Sequence, residues 1–414
     1  MPQGRTIGKA ASVVTPLHVR ESQQSMSQID LFGTPPDDPP PGGRAGQVDG
    51  KSVSTTAAPV SEGRRPGRSS GQSSGQSSSR SGVGAADLPS EVQTLGERLP
   101  GNIRLGTSSW SFPGWKGIVW DDDYSDTKLS RQGLTAYARH PVLRCVGIDR
   151  SFYKPMSIVE YQKYAEQVPK DFRFLVKAPS VVTDALVRGE KGEGLSANPC
   201  FLDARIATEQ FVAPCLAGLG PKAGVLVFQV SPLPTELLRD VPTLIQRIEA
   251  FFSALPPLPP GEALPDGTTA PGPCYALEIR DGALLTPRLM RTLGQLGVRY
   301  CIGLHARMPH VERQAAALAL LDETGAGPLV VRWNLNSGHK YEQAKAKYAP
   351  FDKIVDPDPT TRDVLAALAT HYAMAGHPVY VIVNNKAEGS SPLSCNALAE
   401  RISELSQTSE TTMA

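Results

Sequence analysis

Glu278 and Arg280 stand two residues apart in the run ALEIRD (276–281), a spacing that puts both side chains on the same face of a strand. A carboxylate and a guanidinium sharing a face can keep the acid ionised for work as a base, or clamp an anionic ligand through the planar guanidinium fork. The alternative use is a structural ion pair plugging a barrel, although parallel strands seldom carry charge. Lys177 ends FLVKAP behind Phe174, Leu175 and Val176. An apolar surround of that kind lowers an ammonium pKa and suits a proton carrier or Schiff-base nucleophile, while a phosphate- or carboxylate-binding role needs only the charge. Asp149 follows a further apolar run, and with Glu278 and Lys177 it completes the candidate catalytic set. His305 follows CIGL, and beside Asp149 and Glu278 it raises the question of a mixed carboxylate and histidine metal site. Barrels holding divalent metals usually show several histidines at strand ends, so no metal and no cofactor are expected, and His305 is grouped with the substrate-binding residues.

The remaining ligand-binding candidates are aromatic or neutral. Trp110, Phe152 and Tyr153 could stack on a sugar ring or base, whereas Trp115 and Trp120 read as lid packing. Gln229, Arg332, Asn334, Asn384 and Asn385 add hydrogen-bonding groups, and tandem Asn after a buried strand leaves four amide groups in need of partners that a polar substrate could supply.

All these residues lie where an apolar run stops. The stops are LGTSSW (105–110), VGIDRSFY (146–153), FLVKAP (174–179), VLVFQVSP (225–232), ALEIRD (276–281), CIGLHA (301–306), VVRWNLN (330–336) and VIVNNK (381–386), and helix-like stretches follow most of them. Strands alternating with helices imply a parallel sheet, and eight such units imply a closed TIM (β/α)8 barrel, whose active sites sit at the C-terminal strand ends. The pattern predicts strands at 103–106, 143–148, 172–176, 224–230, 275–279, 299–304, 329–333 and 379–383. It predicts helices at about 130–139, 157–167, 207–219, 235–255, 286–296, 311–321, 361–375 and 395–405. The Pro-rich segment 256–273 reads as a surface connection.

Composition bounds the rest. Residues 1–90 are dominated by Ser, Gly, Pro, Gln and Arg, which predicts a disordered arm; the barrel is expected over 103–406 and a flexible tail over 407–414. Lys and Arg number 42 against 41 acids, so the net charge of +1 provides no field for nucleic acid or an anionic membrane. The six cysteines lie far apart without metal spacing and read as reduced core residues of a cytoplasmic protein. No apolar run is long enough to span a membrane, and the first twenty residues lack the apolar core of a secretory signal.

The order GTSSW, a strand leading to SFY and Pro, FRFLVKAP, an FQ strand, EIR, VVRWN and a late VIVNN before an Asn-Ala helix resembles the uncharacterised YecE-like family, the domain of unknown function 72. The resemblance covers about residues 103–406 and implies a TIM barrel without an established reaction. Where that family has an acidic-Asn-Ser/Thr tract before its Phe-Tyr pair, this chain has Asp149 and Arg150. The expectation is an enzyme acting on a small polar or anionic ligand.

One apolar island, SQIDLFG (27–33), stands in the arm. Gln28, Leu31 and Phe32 resemble the bacterial sliding-clamp-binding peptide Gln-x-x-Leu-Phe, and isolated anchors on a disordered segment suit peptide-in-groove recognition. This is the rival expectation, a DNA-maintenance accessory protein tethered to the clamp. A peptide spanning residues 26–35 is expected to bind the clamp at micromolar affinity, since two apolar side chains contribute about 1.5–3 kcal/mol each on burial and ordering the peptide takes part of that back. Fluorescence anisotropy with the Leu31→Ala, Phe32→Ala double variant is the check. Undiminished binding by that variant would make the motif a coincidence.

Overall fold

A computed structural model describes residues 82–189, 192–263, 269–336, 339 and 341–413. The arm and its QIDLF segment lie outside the described residues, apart from the arm's last few positions. Those positions pack onto the barrel: Val83 and Ala85 lie against the core, and the Gly84 amide donates to the Tyr124 hydroxyl at 3.1 Å. Ordered packing therefore starts before the boundary expected near residue 90, and a helix, α1 (Ser90–Arg98), follows at once. That helix escapes the periodicity argument because Leu95 is its one large buried side chain.

Eight parallel strands close a barrel: β1 (Ile103–Thr107), β2 (Leu143–Ile148), β3 (Arg173–Lys177), β4 (Ala223–Gln229), β5 (Cys274–Glu278), β6 (Arg299–Leu304), β7 (Leu329–Trp333) and β8 (Val379–Val383). Each pairs with its sequence neighbours and β1 with β8, so the protein is a TIM-type α/β barrel. Four of the eight strand ranges coincide with the predicted ones, and the others move by a residue or two.

Among the helices wrapped around the ring are α2 (Val241–Ser253), α3 (Pro287–Gln295), α4 (Val311–Asp322), α5 (Pro359–Met374) and α6 (Ser391–Met413). Side-chain caps set several of their starts: Asp240 accepts from the Thr243 amide, Thr286 from Leu289 and Asp358 from Thr361. The α6 helix runs through 407–413, where a flexible tail was expected, because no Gly or Pro interrupts it after residue 392. The Pro-rich connection carries a small hairpin, Glu262–Ala263 with Thr269–Ala270, and a second hairpin, Leu186–Arg188 with Gly194–Ala197, follows β3. Neither has an apolar alternation that would announce it.

Two apolar cores result from the strand alternation. The outward residues, such as Phe228, Ile302 and Val331, pack beneath the helices, while Leu175, Val227, Ala276, Cys301, Val330 and Ile382 fill the lumen. The six cysteines are free, four of them buried, and no helix among the described residues is long and apolar enough to cross a membrane. Where β1 meets β2 the register shifts between Leu105 and Gly106 and the backbones approach closely. A Cβ on Gly106 would lie 1.9 Å from the Cys145 carbonyl oxygen, a backbone atom that cannot swing away. Gly106→Ala is accordingly expected to cost at least about 3 kcal/mol, the upper part of the overpacking range. Urea unfolding measures it, and a loss below about 1 kcal/mol would show that the seam can relax.

Candidate active site

Inward-pointing residues continue past the apolar lumen to the C-terminal strand ends, and there the chain turns polar. Glu278 is fully buried at the end of β5. Arg280 reaches back to its Oε1 at 2.6 Å, the Asn334 amide donates to the same oxygen at 3.2 Å, and Arg332 donates to Oε2 at 2.7 Å. Arg332, itself buried, places its other terminal nitrogen on both carboxylate oxygens of Asp149, at 2.8 and 2.9 Å. The Gln229 carbonyl oxygen accepts from Arg280 at 2.7 Å and from Arg332 at 3.1 Å, holding the two guanidiniums apart. Gly303 on β6 makes room, since a Cβ there would come within 2.9 Å of the Glu278 carboxylate.

The electrostatics follow from this packing. Burial works to raise the Glu278 pKa, but Arg280 and Arg332 outweigh it and hold the carboxyl below its ordinary range. Burial likewise opposes the Arg332 charge, and Asp149 and Glu278 overcome it, so that guanidinium is held above its ordinary value. For Lys177 the balance falls the other way. Burial, chiefly, pulls its pKa from 10.5 to about 7; Asp149 is the main opposing charge, and Arg332 and Arg280 add to the effect of burial. Its Nζ lies 3.5 Å from the centroid of the Phe152 ring, a cation–π contact. Among the described residues no carboxylate comes within ion-pair distance of it, because Arg332 occupies the nearer acids. Asp149 is the acid left open to solvent, with a third of its side chain exposed.

The structure thus brings together Asp149, Phe152, Lys177, Gln229, Glu278, Arg280, Arg332 and Asn334. Tyr153 stacks edge-to-face on Phe152 at 5.3 Å and is 82% exposed, at the outer rim. Asn384 lies at the same end, where its amide nitrogen donates to Ser108 at 2.9 Å and its oxygen accepts from the Lys386 amide at 3.0 Å. His305 sits on a neighbouring cavity of about 140 Å3 shared with Trp333, Asp358 and Thr361. Burial lowers its pKa to about 4, so the imidazole is neutral at physiological pH. Two candidates face elsewhere. Trp110 is buried, with its indole N–H on the Leu129 carbonyl at 3.2 Å and its ring edge-on to Tyr164 at 4.9 Å. Asn385 is buried too, and its side-chain oxygen accepts from the Ser391 amide at 2.8 Å and hydroxyl at 2.7 Å, at the start of α6. Trp115 and Trp120 stack on each other inside the core.

A further pair at this end escapes the sequence argument. His339, in the connection after β7, places Nε2 at 2.9 Å from Asp356, which also accepts from Tyr348 at 2.7 Å and from Lys347 at 2.6 Å. Those hydrogen bonds, led by Lys347, hold Asp356 down at about 2. Seventeen residues separate the partners and neither ends an apolar run, so nothing in the sequence pairs them. No cluster of three or more His, Cys, Asp or Glu able to hold a metal occurs among the described residues.

Closed barrel and polar C-terminal mouth together define a TIM-barrel protein with its candidate site at the usual end. A family model described as "Protein of unknown function DUF72" matches residues 104–413, and the chain belongs to that family. Among solved structures, a DUF72 family protein of Enterococcus faecalis V583 is similar at 16% identity and TM-score 0.45, covering 74% of this chain and 95% of that one. Another, from Thermotoga maritima MSB8, aligns at 15% identity and TM-score 0.45 over 72% of this chain and 98% of that one. No curated protein matches the sequence.

Breaking the buried ion-pair network should be costly. Glu278→Gln leaves Arg280 and Arg332 without their shared counter-ion and is expected to destabilise the fold by about 3–5 kcal/mol. Adding Arg280→Met to that variant should return part of the loss, because it removes one unmatched charge. Denaturant unfolding of wild type, single and double variants decides the point, and strict additivity of two losses would contradict the coupling.

Proposed function

We propose that the protein is an enzyme of the barrel-mouth type that acts on a small polar ligand carrying an anionic or carbonyl oxygen, with Lys177 as its proton carrier. One observation carries this reading: the Lys177 ammonium has no carboxylate partner among the described residues, in a mouth where Asp149, Glu278, Arg280 and Arg332 are matched to each other. A ligand oxyanion is the natural partner for the remaining charge, and a lysine titrating near neutral pH can give or take a proton there. Glu278, saturated by three donors and fully buried, serves as the counter-ion that positions Arg280 and Arg332. Asp149, half engaged and open to solvent, is the second group able to move a proton. Phe152 and Tyr153 supply an aromatic wall for the rest of the ligand. Free cysteines throughout accord with a cytoplasmic setting.

A second reading rests on Gln28, Leu31 and Phe32, outside the described residues: a tether to the bacterial sliding clamp, with the barrel delivered to DNA as cargo. It concerns location and leaves the mouth chemistry unchanged.

Two measurements test the role of Lys177. Acetylation by dilute anhydride, followed by peptide mass analysis, should label Lys177 with a midpoint near pH 7, well below the exposed lysines. Stability should show the same group. Between pH 7 and 10.5 the unfolded chain holds a proton that the folded protein declines, so the Lys177 contribution is unfavourable below pH 7 and is relieved as pH rises towards 10.5. Lys177→Met should therefore be more stable than wild type at pH 6, and the gap should close by about pH 10. A labelling midpoint near 10 together with a constant gap would remove the proton-carrier role.

A further inference from the structure

The opposite, N-terminal end of the barrel is also charged, and there the charges are all of one sign. Arg104 on β1 and Arg173 on β3 point into the lumen below the apolar residues, 8% and 4% exposed. Neither has a carboxylate within 4.0 Å among the described residues. The Arg104 Nη1 and the Arg173 Nε are buried without any hydrogen-bond partner, and so is the hydroxyl of Tyr380 on β8, whose ring lies 5.8 Å from the Arg104 guanidinium. Among the described residues, one nitrogen of Arg173 is engaged, by the Lys170 and Phe172 carbonyls at 2.8 and 3.1 Å. Two more cations close by, Arg144 and Lys222, are likewise held by main-chain carbonyls. The acids that act on Arg173, Asp171 and Glu262, are exposed and form no ion pair with it. Burial and the neighbouring Arg104 both pull the Arg173 pKa down, as expected for crowded and unmatched guanidiniums.

An isolated buried charge is among the most destabilising features a fold can carry. Two guanidiniums without a carboxylate partner among the described residues and an unpaired hydroxyl, gathered at one end of the lumen, describe an anion site seen from the protein's side. Access exists: Arg173 lines a cavity of about 340 Å3 whose other walls include Leu216, a set of prolines such as Pro221, Pro259 and Pro260, and the exposed Glu262. We propose that the N-terminal end of the barrel binds a tetrahedral oxyanion of the phosphate or sulfate class, held by Arg104, Arg173 and Tyr380 and entering through the proline-walled cavity. Planar guanidinium forks match such oxygens bidentately, and the Tyr380 phenol, its pKa pushed up to about 12 by burial, stays protonated as a donor. The leucine and proline walls suit the organic part of a phosphate monoester, with Glu262 the one acid among the lining residues, so the anion is free phosphate or the terminal group of a small metabolite.

Titration calorimetry of the full chain with inorganic phosphate and with phenyl phosphate, against sodium chloride at equal ionic strength, tests the site. Wild type should bind phosphate saturably, and Arg173→Met should weaken binding at least about tenfold, the loss of one charge-assisted contact. In chloride the same variant should melt higher than wild type, because it deletes an unmatched buried charge. Tyr380→Phe keeps both charges and the fold, and should weaken phosphate by about tenfold if its hydroxyl donates. Lys177→Met, which removes any phosphate binding at the mouth, should keep the phosphate site that depends on Arg173 and Tyr380. Tighter binding of phenyl phosphate identifies an ester ligand, and tighter binding of inorganic phosphate a free ion; either keeps the site. No saturable phosphate binding by wild type, unchanged affinity in both Arg173→Met and Tyr380→Phe, or loss of binding in Lys177→Met would overturn it.

Discussion

A guanidinium buried to 2% exposure at the end of β7 is the constraint around which the mouth is built. Arg332 cannot shed its proton, and transferring its charge out of water is repaid only by close, well-directed partners. Glu278 and Asp149 supply the charge and Gln229 a further acceptor. Each of these then needs its own partners: Glu278 takes Arg280 and Asn334, and the space for its carboxylate exists because β6 has Gly at 303. Asp149, Glu278, Arg280 and Arg332 are thus matched to one another, and no carboxylate among the described residues pairs with Lys177. Its ammonium and the solvent-facing side of Asp149 are the charges at the mouth with capacity left for something from outside.

Legibility in the sequence follows from which interactions are local. Strand ends could be placed because a buried parallel strand is a continuous apolar run, and VVRWN or VIVNN stops where burial stops. Parity along the strand then puts Glu278 with Arg280, and Arg332 with Asn334, on the lumen side, since the side-chain period of two is fixed by the backbone. What parity cannot give is which strand's residue meets which. The Arg332 to Asp149 contact spans 183 positions and depends on the stagger of the closed ring. Trp110 shows the same limit from the other side: it stands at a strand end, yet the loop after β1 folds it under Tyr164. Asn385 follows Asn384 directly, and one step of chain rotation turns it from the mouth to the start of α6. His339 and Asp356 belong to a long connection with no periodic signal, where hydrogen bonds alone fix the geometry.

The lumen between the two ends is as much part of the chemistry as the ends themselves. Leu175, Val227, Ala276, Cys301, Val330 and Ile382 form a dry layer under Lys177 and Glu278, and they remove water from the inner side of both. Their effect has opposite signs on the two residues because the surroundings differ. Glu278 has two guanidiniums in contact, so desolvation is outweighed and the acid stays ionised. Lys177 has an aromatic face and two repelling arginines, so desolvation dominates and its proton becomes labile near neutrality. Two ionisable groups on one apolar floor are thus driven in different directions by their contacts, the arrangement by which a barrel mouth separates a fixed charge from a mobile proton.

Below that floor one element is missing. Arg104 and Arg173 are buried in the same lumen as Arg332, yet no carboxylate among the described residues pairs with them. In most barrels this end contributes stability, and unmatched charge there works against it. The two apolar clusters must carry that load, and they can do so because the outer one runs unbroken around the ring from Ile103 to Ile402. A fold that tolerates such a cost at every moment would gain from replacing the two arginines with aliphatic residues of similar volume. Their presence is economical only when the missing counter-charge arrives from solution, and the mouth and the base of this barrel are then two sites of complementary design, separated by a layer of buried apolar side chains.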